Sequence, residues 1–211
     1  MRVLDVGLLE YGACLDLQRR LREERARGEG EDTLVLVEHP PVATLGRRGT
    51  REEVFDASLP VFVVERGGKA TFHGPGQLVL YPIVSLGAGN RDVRAWVQHV
   101  EAFVVACLAH FGIAAQARSD QIGVWTAGSG KKIASVGVAI KDWVSLHGAA
   151  LNVTLDPREF ERIDPCGLGA AVMTSMAREG SAATVADVKA WMAAHANEHF
   201  SPFLVERKLS H

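Results

Sequence analysis

Apolar positions along the chain fall into two periods, and the two periods alternate in blocks. "VLDVGLL" (3–9) alternates loosely and predicts a first strand. "YGACLDLQRRLREERARG" follows, with Cys14, Leu17 and Leu21 at spacings of three and four, a one-sided helix that Gly28 should end. "TLVLVEH" (33–39) predicts a buried strand, stopped by "PPVATLGRRG". "VFVVER" (61–66) and "QLVLYPIV" (77–84) predict strands on either side of a glycine-rich loop. The segment 91–112 is the longest amphipathic helix, with Trp96, Val100, Phe103, Val104 and Leu108 on one side. Strands are expected at 122–125, 131–140 and 144–155, the last two joined by "KDW" as a hairpin, and a helix at 184–200 closes the chain. Strands come in runs with helices between them, without regular βαβ alternation. This predicts an α+β fold, a mixed or antiparallel sheet packed with helices, and residues 1–211 as a single domain.

The stretch between two of these strands, "ERGGKATFHGPG", is unusual. Glycine costs chain entropy, so so many in one loop call for special backbone angles or a ligand pressed against bare main chain. Arg66, Lys69, Thr71, His73 and Gln77 crowd around those glycines, which favours a binding surface over a plain turn.

The three cysteines separate into two kinds. Cys14 and Cys107 sit on apolar helix stripes and read as buried structural thiols. Cys166, in "ERIDPCGLGAA", has no periodicity to bury it, and a Pro-Cys-Gly bend can present sulfur to a ligand. A nucleophilic thiol also needs a group that lowers its pKa or takes its proton; the candidates are His39, His73, His147, Lys131 and Lys132. Spacing does not choose among them.

Composition narrows the class further. With 47% hydrophobic residues the chain can build a substantial core, and a net charge of −2 points away from general nucleic-acid binding. Its longest apolar runs are too short for a membrane span of ~18 residues, and the N-terminus does not resemble a secretory signal. Sparse, odd-numbered cysteines without C-x-x-C suit a reducing, cytoplasmic setting and no zinc site. His195 and His199 are four apart but lack a third candidate ligand, so no metal is expected. "GSGKK" fails the P-loop pattern, and no dinucleotide fingerprint opens a helix after a strand.

"VEHPPVATLGRRG", "RGGKATFHGPGQLVLYPI", "GVWTAGSGKKIASVGVAI", "SLHGAALNV" and "DPCGL" occur in that order, and together they resemble the lipoyl(octanoyl) transferase family. The resemblance implies a fold like the biotin/lipoate-protein ligase catalytic domain. It implies transfer of an octanoyl group from octanoyl-acyl carrier protein to a lysine of lipoyl domains, through a cysteine thioester and without a cofactor. The acceptors would be the lipoyl domains of 2-oxoacid dehydrogenases and the glycine cleavage H protein. By motif position Cys166 corresponds to the acyl-accepting nucleophile and Lys132 to its partner. Arg66, Gly67, Gly68, Lys69, Ala70, Thr71, Phe72 and His73 correspond to the substrate-binding loop. Ser135, Val136 and Gly137, with Gly148, Ala149 and Ala150, would line the same pocket. Their small side chains are expected to leave room for a C8 chain, and His73 to orient or polarise the substrate. Two rival readings are an ATP-dependent lipoate- or biotin-protein ligase and a non-catalytic module that binds lipoyl domains. "DPCGL" argues against the ligase.

Overall fold

The computed structural model describes residues 1–165 and 169–203. Its elements in chain order are β1 (Arg2–Leu8), α1 (Tyr11–Ala26), β2 (Thr33–Glu38), β3 (Val42–Leu45), β4 (Val61–Val63), β5 (Ala70–His73) and β6 (Gln77–Ile83). There follow α2 (Val93–His110), β7 (Ala115–Ala117), β8 (Val124–Thr126), β9 (Lys132–Lys141), β10 (Val144–Asn152) and α3 (Val185–Phe200), with short 3-10 turns between. One sheet runs β1-β2-β6-β10-β9-β8-β7 and a second runs β4-β3-β5. In the large sheet β1 and β2 are parallel and every other neighbouring pair is antiparallel. The sheet is therefore mixed and packed with helices, as the block pattern predicts.

Both faces of the large sheet are covered, which explains why β6 is buried at all seven positions. Successive side chains of a strand point to opposite faces. Leu78 and Leu80 join the cluster made with α2 and α3, whereas Val79, Tyr81 and Ile83 face Cys14 and Leu21 of α1. The apolar stripe of α2 is the expected one, and it meets Val188, Met192, Ala196 and Phe200 of α3. Caps set the limits of these helices: Asp92 accepts from the amides of Arg94 and Ala95, and Thr184 with Asp187 forms a capping box. Among the described residues no helix is long and apolar enough to cross a membrane.

Three short strands depart from the sequence expectation. β3 lies inside "PPVATLGRRG", β5 inside the glycine-rich loop, and β7 after α2. β3 and β5 pair antiparallel, from Val42 opposite His73 to Leu45 opposite Ala70. Their stability comes from partners far along the chain, so four-residue runs between prolines and glycines carry no period of their own. Conversely β4 ends at Val63, short of the expected strand to residue 66. The β9–β10 hairpin is present, and its two turn residues Asp142 and Trp143 have φ of 53° and 58°, the left-handed pair that a two-residue hairpin turn demands.

Gly148 of β10 stands opposite Gly137 of β9, in a strand flanked on its other side by β6. A methyl carbon on Gly148 would overlap the Leu80 carbonyl oxygen and come within 2.7 Å of Pro82 Cδ. The missing side chain lets β6 approach. Gly148→Ala should therefore lower the melting temperature by several degrees, since overpacking of this kind costs about 1–3 kcal/mol or more. Gly128→Ala, at a site with nothing within 4 Å, should change it little; equal melting of both variants would contradict this packing.

Candidate active site

A cavity of about 520 Å³ opens between the small sheet and the α1 face of the large one. That is the size of a small-molecule site. β5 shows how the chain divides its side chains across this wall. Thr71 and His73 line the cavity, while Ala70 and Phe72, both fully buried, join the core under the small sheet. Of the residues expected in the pocket, Arg66, Gly67, Gly68, Lys69, Thr71, His73, Lys132, Ser135, Val136, Gly137, Gly148, Ala149 and Ala150 line it. Ala70 and Phe72 support it from behind. Cys166, the expected nucleophile, lies outside the described residues.

Arg66 ties the walls together. It is buried, and its Nη2 donates to the Thr44 carbonyl at 2.9 Å and to Thr44 Oγ1 at 2.8 Å, while Nη1 donates to the Gly67 carbonyl at 3.0 Å. Gly67 N–H in turn donates to the Val138 carbonyl of β9 at 3.0 Å. Gly137 faces this tether. A Cβ there would stand 3.1 Å from Arg66 Cδ and 3.2 Å from the Gly67 oxygen. Gly137 therefore makes room for the loop, which differs from the open acyl slot expected from its size.

Three buried histidines stand on or behind the other wall, His73 and His147 lining it and His39 behind. His39 Nδ1 meets the Leu9 carbonyl at 2.7 Å, so it must carry the proton, and Nε2 accepts from Tyr81 O–H at 3.0 Å. Gln77 Nε2 donates to the Phe72 carbonyl and to Asn152 Oδ1, so Gln77 Oε1 accepts the Nδ1 proton of His73 at 2.7 Å. His73 Nε2 is left as a lone-pair acceptor. It can receive a proton or orient a donor, and this tautomer does not polarise a carbonyl by donation. Burial pushes the His73 pKa down to about 3, helped by the nearby His39 and by Arg66. Burial likewise holds His39 at about 4. His147 is held at about 4 by burial, with Glu65 opposing and Arg66 and Arg19 assisting; its Nε2 is 3.8 Å from Glu65, beyond hydrogen-bond range. His147 also sits at φ 58°, a strained angle for a residue with a β-carbon.

Lys132 opens β9 from a buried position, whereas Lys131 is exposed. The Lys132 ammonium is 5.8 Å from the Trp125 ring centroid. Its backbone forms a parallel bridge with Met173, and its carbonyl accepts from Thr174 N–H at 2.9 Å. The segment Met173–Thr174 is thus held against the start of β9. Cys14 and Cys107 are fully buried, and burial raises each thiol to about 12. Neither can serve as a thiolate near neutral pH.

Sequence reasoning missed much of the lining: Tyr11, Arg48, Val79 and Tyr81 on the walls, and Val93 and Ile122 at the mouth. Val93 and Ile122 are 49% and 55% exposed, and large apolar residues left open beside a cavity were the signal only structure could supply. His195 and His199 find aromatic partners instead of a shared site, stacking on Trp191 and His99 at 4.2 Å each.

The fold and this cavity define a class. The sequence profile of the lipoyl protein ligase A/B catalytic domain matches residues 10–197. Solved structures share the fold at low identity. Lipoate-protein ligase A bound with ATP superposes with a TM-score of 0.73 at 17% identity, over 95% of this chain and 85% of its own. The Thermoplasma acidophilum bipartite lipoate protein ligase, studied with its E2 lipoyl domain, gives 0.70 at 16% over 95% and 84%. The Aquifex aeolicus biotin protein ligase gives 0.54 at 12% over 96% and 70%. Within that class the chain belongs to the octanoyltransferase family of acyltransferases. It is 41% identical to the octanoyltransferase of Geobacter metallireducens, over 99% of this chain and 95% of the relative. It is 43% identical to that of Geobacter sulfurreducens, over 92% and 82%.

The three buried histidines make a pH prediction. Each is neutral in the folded protein and has an ordinary pKa near 6.5 when unfolded. A depressed folded pKa gives stability that is complete above the unfolded value and is lost as pH falls toward the folded one. Unfolding free energy from urea titration should therefore drop between pH 7 and 5, approaching about 1.4 kcal/mol per pH unit for each histidine. His39→Gln should make the slope shallower by one such share. A flat profile over this range would contradict burial in the neutral state.

Proposed function

We propose that the chain is one catalytic unit that moves an octanoyl group from octanoyl-acyl carrier protein to a lysine of lipoyl domains, including those of 2-oxoacid dehydrogenases and the glycine cleavage H protein, through a thioester on Cys166. The observation that carries this reading is the pairing of Lys132 with Met173 and Thr174, which brings the chain that follows "DPCGL" to a buried lysine on the cavity wall.

The Cys166 thiolate attacks the donor thioester carbonyl, and the carrier thiolate leaves and takes up a proton. One thioester replaces another, so the step is near thermoneutral. The lysine amine of the acceptor then attacks the Cys166 thioester, an amide forms, and the Cys166 thiolate departs. Lys132 takes the proton lost by the amine and pairs with the thiolate between turnovers. The described lining favours negative charge on sulfur and on the carbonyl oxygen, with Arg48, Arg66, Lys69 and Lys132 against Asp120. Val79, Tyr81 and Ala150 offer the acyl chain an apolar wall, at about 0.8 kcal/mol for each buried methylene. No step consumes ATP, which separates this reaction from that of a ligase.

Incubation with octanoyl-acyl carrier protein followed by peptide mass spectrometry should find an octanoyl adduct on Cys166. Cys166→Ser should abolish transfer, while Cys14→Ser and Cys107→Ser retain it. Turnover by the Cys166 variant without any adduct elsewhere would remove the covalent route. Binding of lipoyl domains with no transfer by the wild type would favour the non-catalytic reading.

A further inference from the structure

α2 buries an acid among its apolar residues. Glu101 stands between Val100 and Phe103 and is 3% exposed, although a carboxylate taken out of water is costly unless something compensates it. Its Oε1 accepts the Gly123 N–H at 2.7 Å. Gly123 has φ of 130°, and a Cβ there would lie 2.5 Å from Lys132 Cε and 3.2 Å from Lys132 Nζ. The end of the Lys132 side chain therefore passes directly over the Gly123 main chain, held on one side by that residue and bordered on another by the Trp125 ring.

We propose that Glu101 is a positioning residue for the reaction: it pins the Gly123 amide so that Lys132 can lie across it, and it supplies the buried counter-charge that sets the protonation of the Lys132 amine. This rests on the reading of Lys132 as the group that activates the nucleophile and takes the acceptor proton. The hydrogen bond alone would suit a loop anchor. The second role follows from the placement of the lysine, since a buried amine near a buried carboxylate has its charged form favoured. Burial raises the Glu101 pKa, while the Gly123 amide and the Lys132 charge pull it back, as expected for two groups that share a site. Other charged and titratable groups around the Lys132 cavity are Arg48, Arg66 and Lys69, Asp120 at the rim, and His73 and His147 on the opposite wall. The cations oppose protonation of the amine, and Asp120 is exposed, so Glu101 is the buried carboxylate that offsets them.

The test uses the full chain labelled with ¹³C at lysine Cε, titrated by NMR, with the Lys132 signal assigned by its loss in Lys132→Met. Glu101→Gln keeps an oxygen to accept from Gly123 and removes the charge. It should lower the Lys132 midpoint by about one unit, leaving those of the exposed Lys131 and Lys141 in place. Glu101→Asp keeps the charge but shortens the reach and should lower it less. An unchanged Lys132 midpoint in Glu101→Gln, or a fall in Glu101→Asp as large as in Glu101→Gln, overturns the proposal; should the Gln variant fail to fold, an unchanged midpoint in Glu101→Leu does so. In parallel, the rate of octanoyl loading should fall about tenfold in Glu101→Gln. If the wild type forms no octanoyl adduct, the proposed reaction fails, while the Lys132 midpoint still decides the coupling.

Discussion

A buried hydrogen-bonded bridge made by Arg66 and Gly67 ties the two sheets together along the cavity. Arg66 reaches from the glycine-rich loop to Thr44 in the middle strand of the small sheet, and Gly67 donates to Val138 in the large sheet. Together with the bonds from Gln77 of β6 to His73 and Phe72 of β5, this bridge fixes the spacing of the two sheets. Because the bridge is buried and uses several donors of one guanidinium, its geometry is exacting. Guanidinium donates in a rigid plane, and a lysine could not reproduce two bonds to Thr44 with a third to the loop. The glycines follow from it. Gly67 brings its bare backbone to β9, and Gly137 leaves the space that Arg66 occupies.

A second constraint is the burial of many polar groups in one place. The histidine wall resolves this by neutrality. His73, Gln77 and Asn152 form a chain in which each proton has an acceptor, and Asn152 Nδ2 ends it by donating to the Thr174 carbonyl at 2.9 Å. At the lysine end, Glu101 accepts the Gly123 amide while the Lys132 side chain passes close to the same residue. Thr174 belongs to both arrangements, since its N–H meets the Lys132 carbonyl and its carbonyl meets Asn152. One residue after the glycine-rich "PCGLG" run thus couples the neutral wall to the charged one.

The elements legible in the sequence are those whose period is self-contained. α2 shows its buried face over five turns, and β6, β9 and β10 are long enough to be read without knowing their partners. β3, β5 and β7 are three or four residues each and are defined by distant pairing, so nothing local announces them. The site divides in the same way. The glycine-rich loop and the small-residue strands that line the cavity are visible as ordered motifs, because glycine and lysine in those patterns are chemically odd. Tyr11 and Tyr81 were not, since an aromatic on a helix or strand reads as core until the cavity beside it is seen. Glu101 was hidden for a related reason: in a helix otherwise read by its apolar stripe, one acid looks like part of the solvated face.

The small residues of the β9–β10 hairpin have a packing role beside the one that their pattern suggests. A run of glycine and alanine looks like a vacated slot, and Ala149 and Ala150 do border the cavity. The space beside Gly148 is occupied by the Leu80 carbonyl and Pro82, and that beside Gly137 by Arg66 and Gly67. Both glycines thus give room to neighbouring main chain and side chains while they also line the cavity. An extended acyl chain entering beside Val93 and Ile122 would meet its apolar surface deeper, where Val79, Tyr81 and Ala150 project from adjacent strands toward α1. Chain-length preference would then depend on the distance from the lysine end of the cavity to Tyr11 and Tyr81, two rings held by the buried His39. The hairpin glycines act indirectly: they hold the strands close enough for that wall to be continuous.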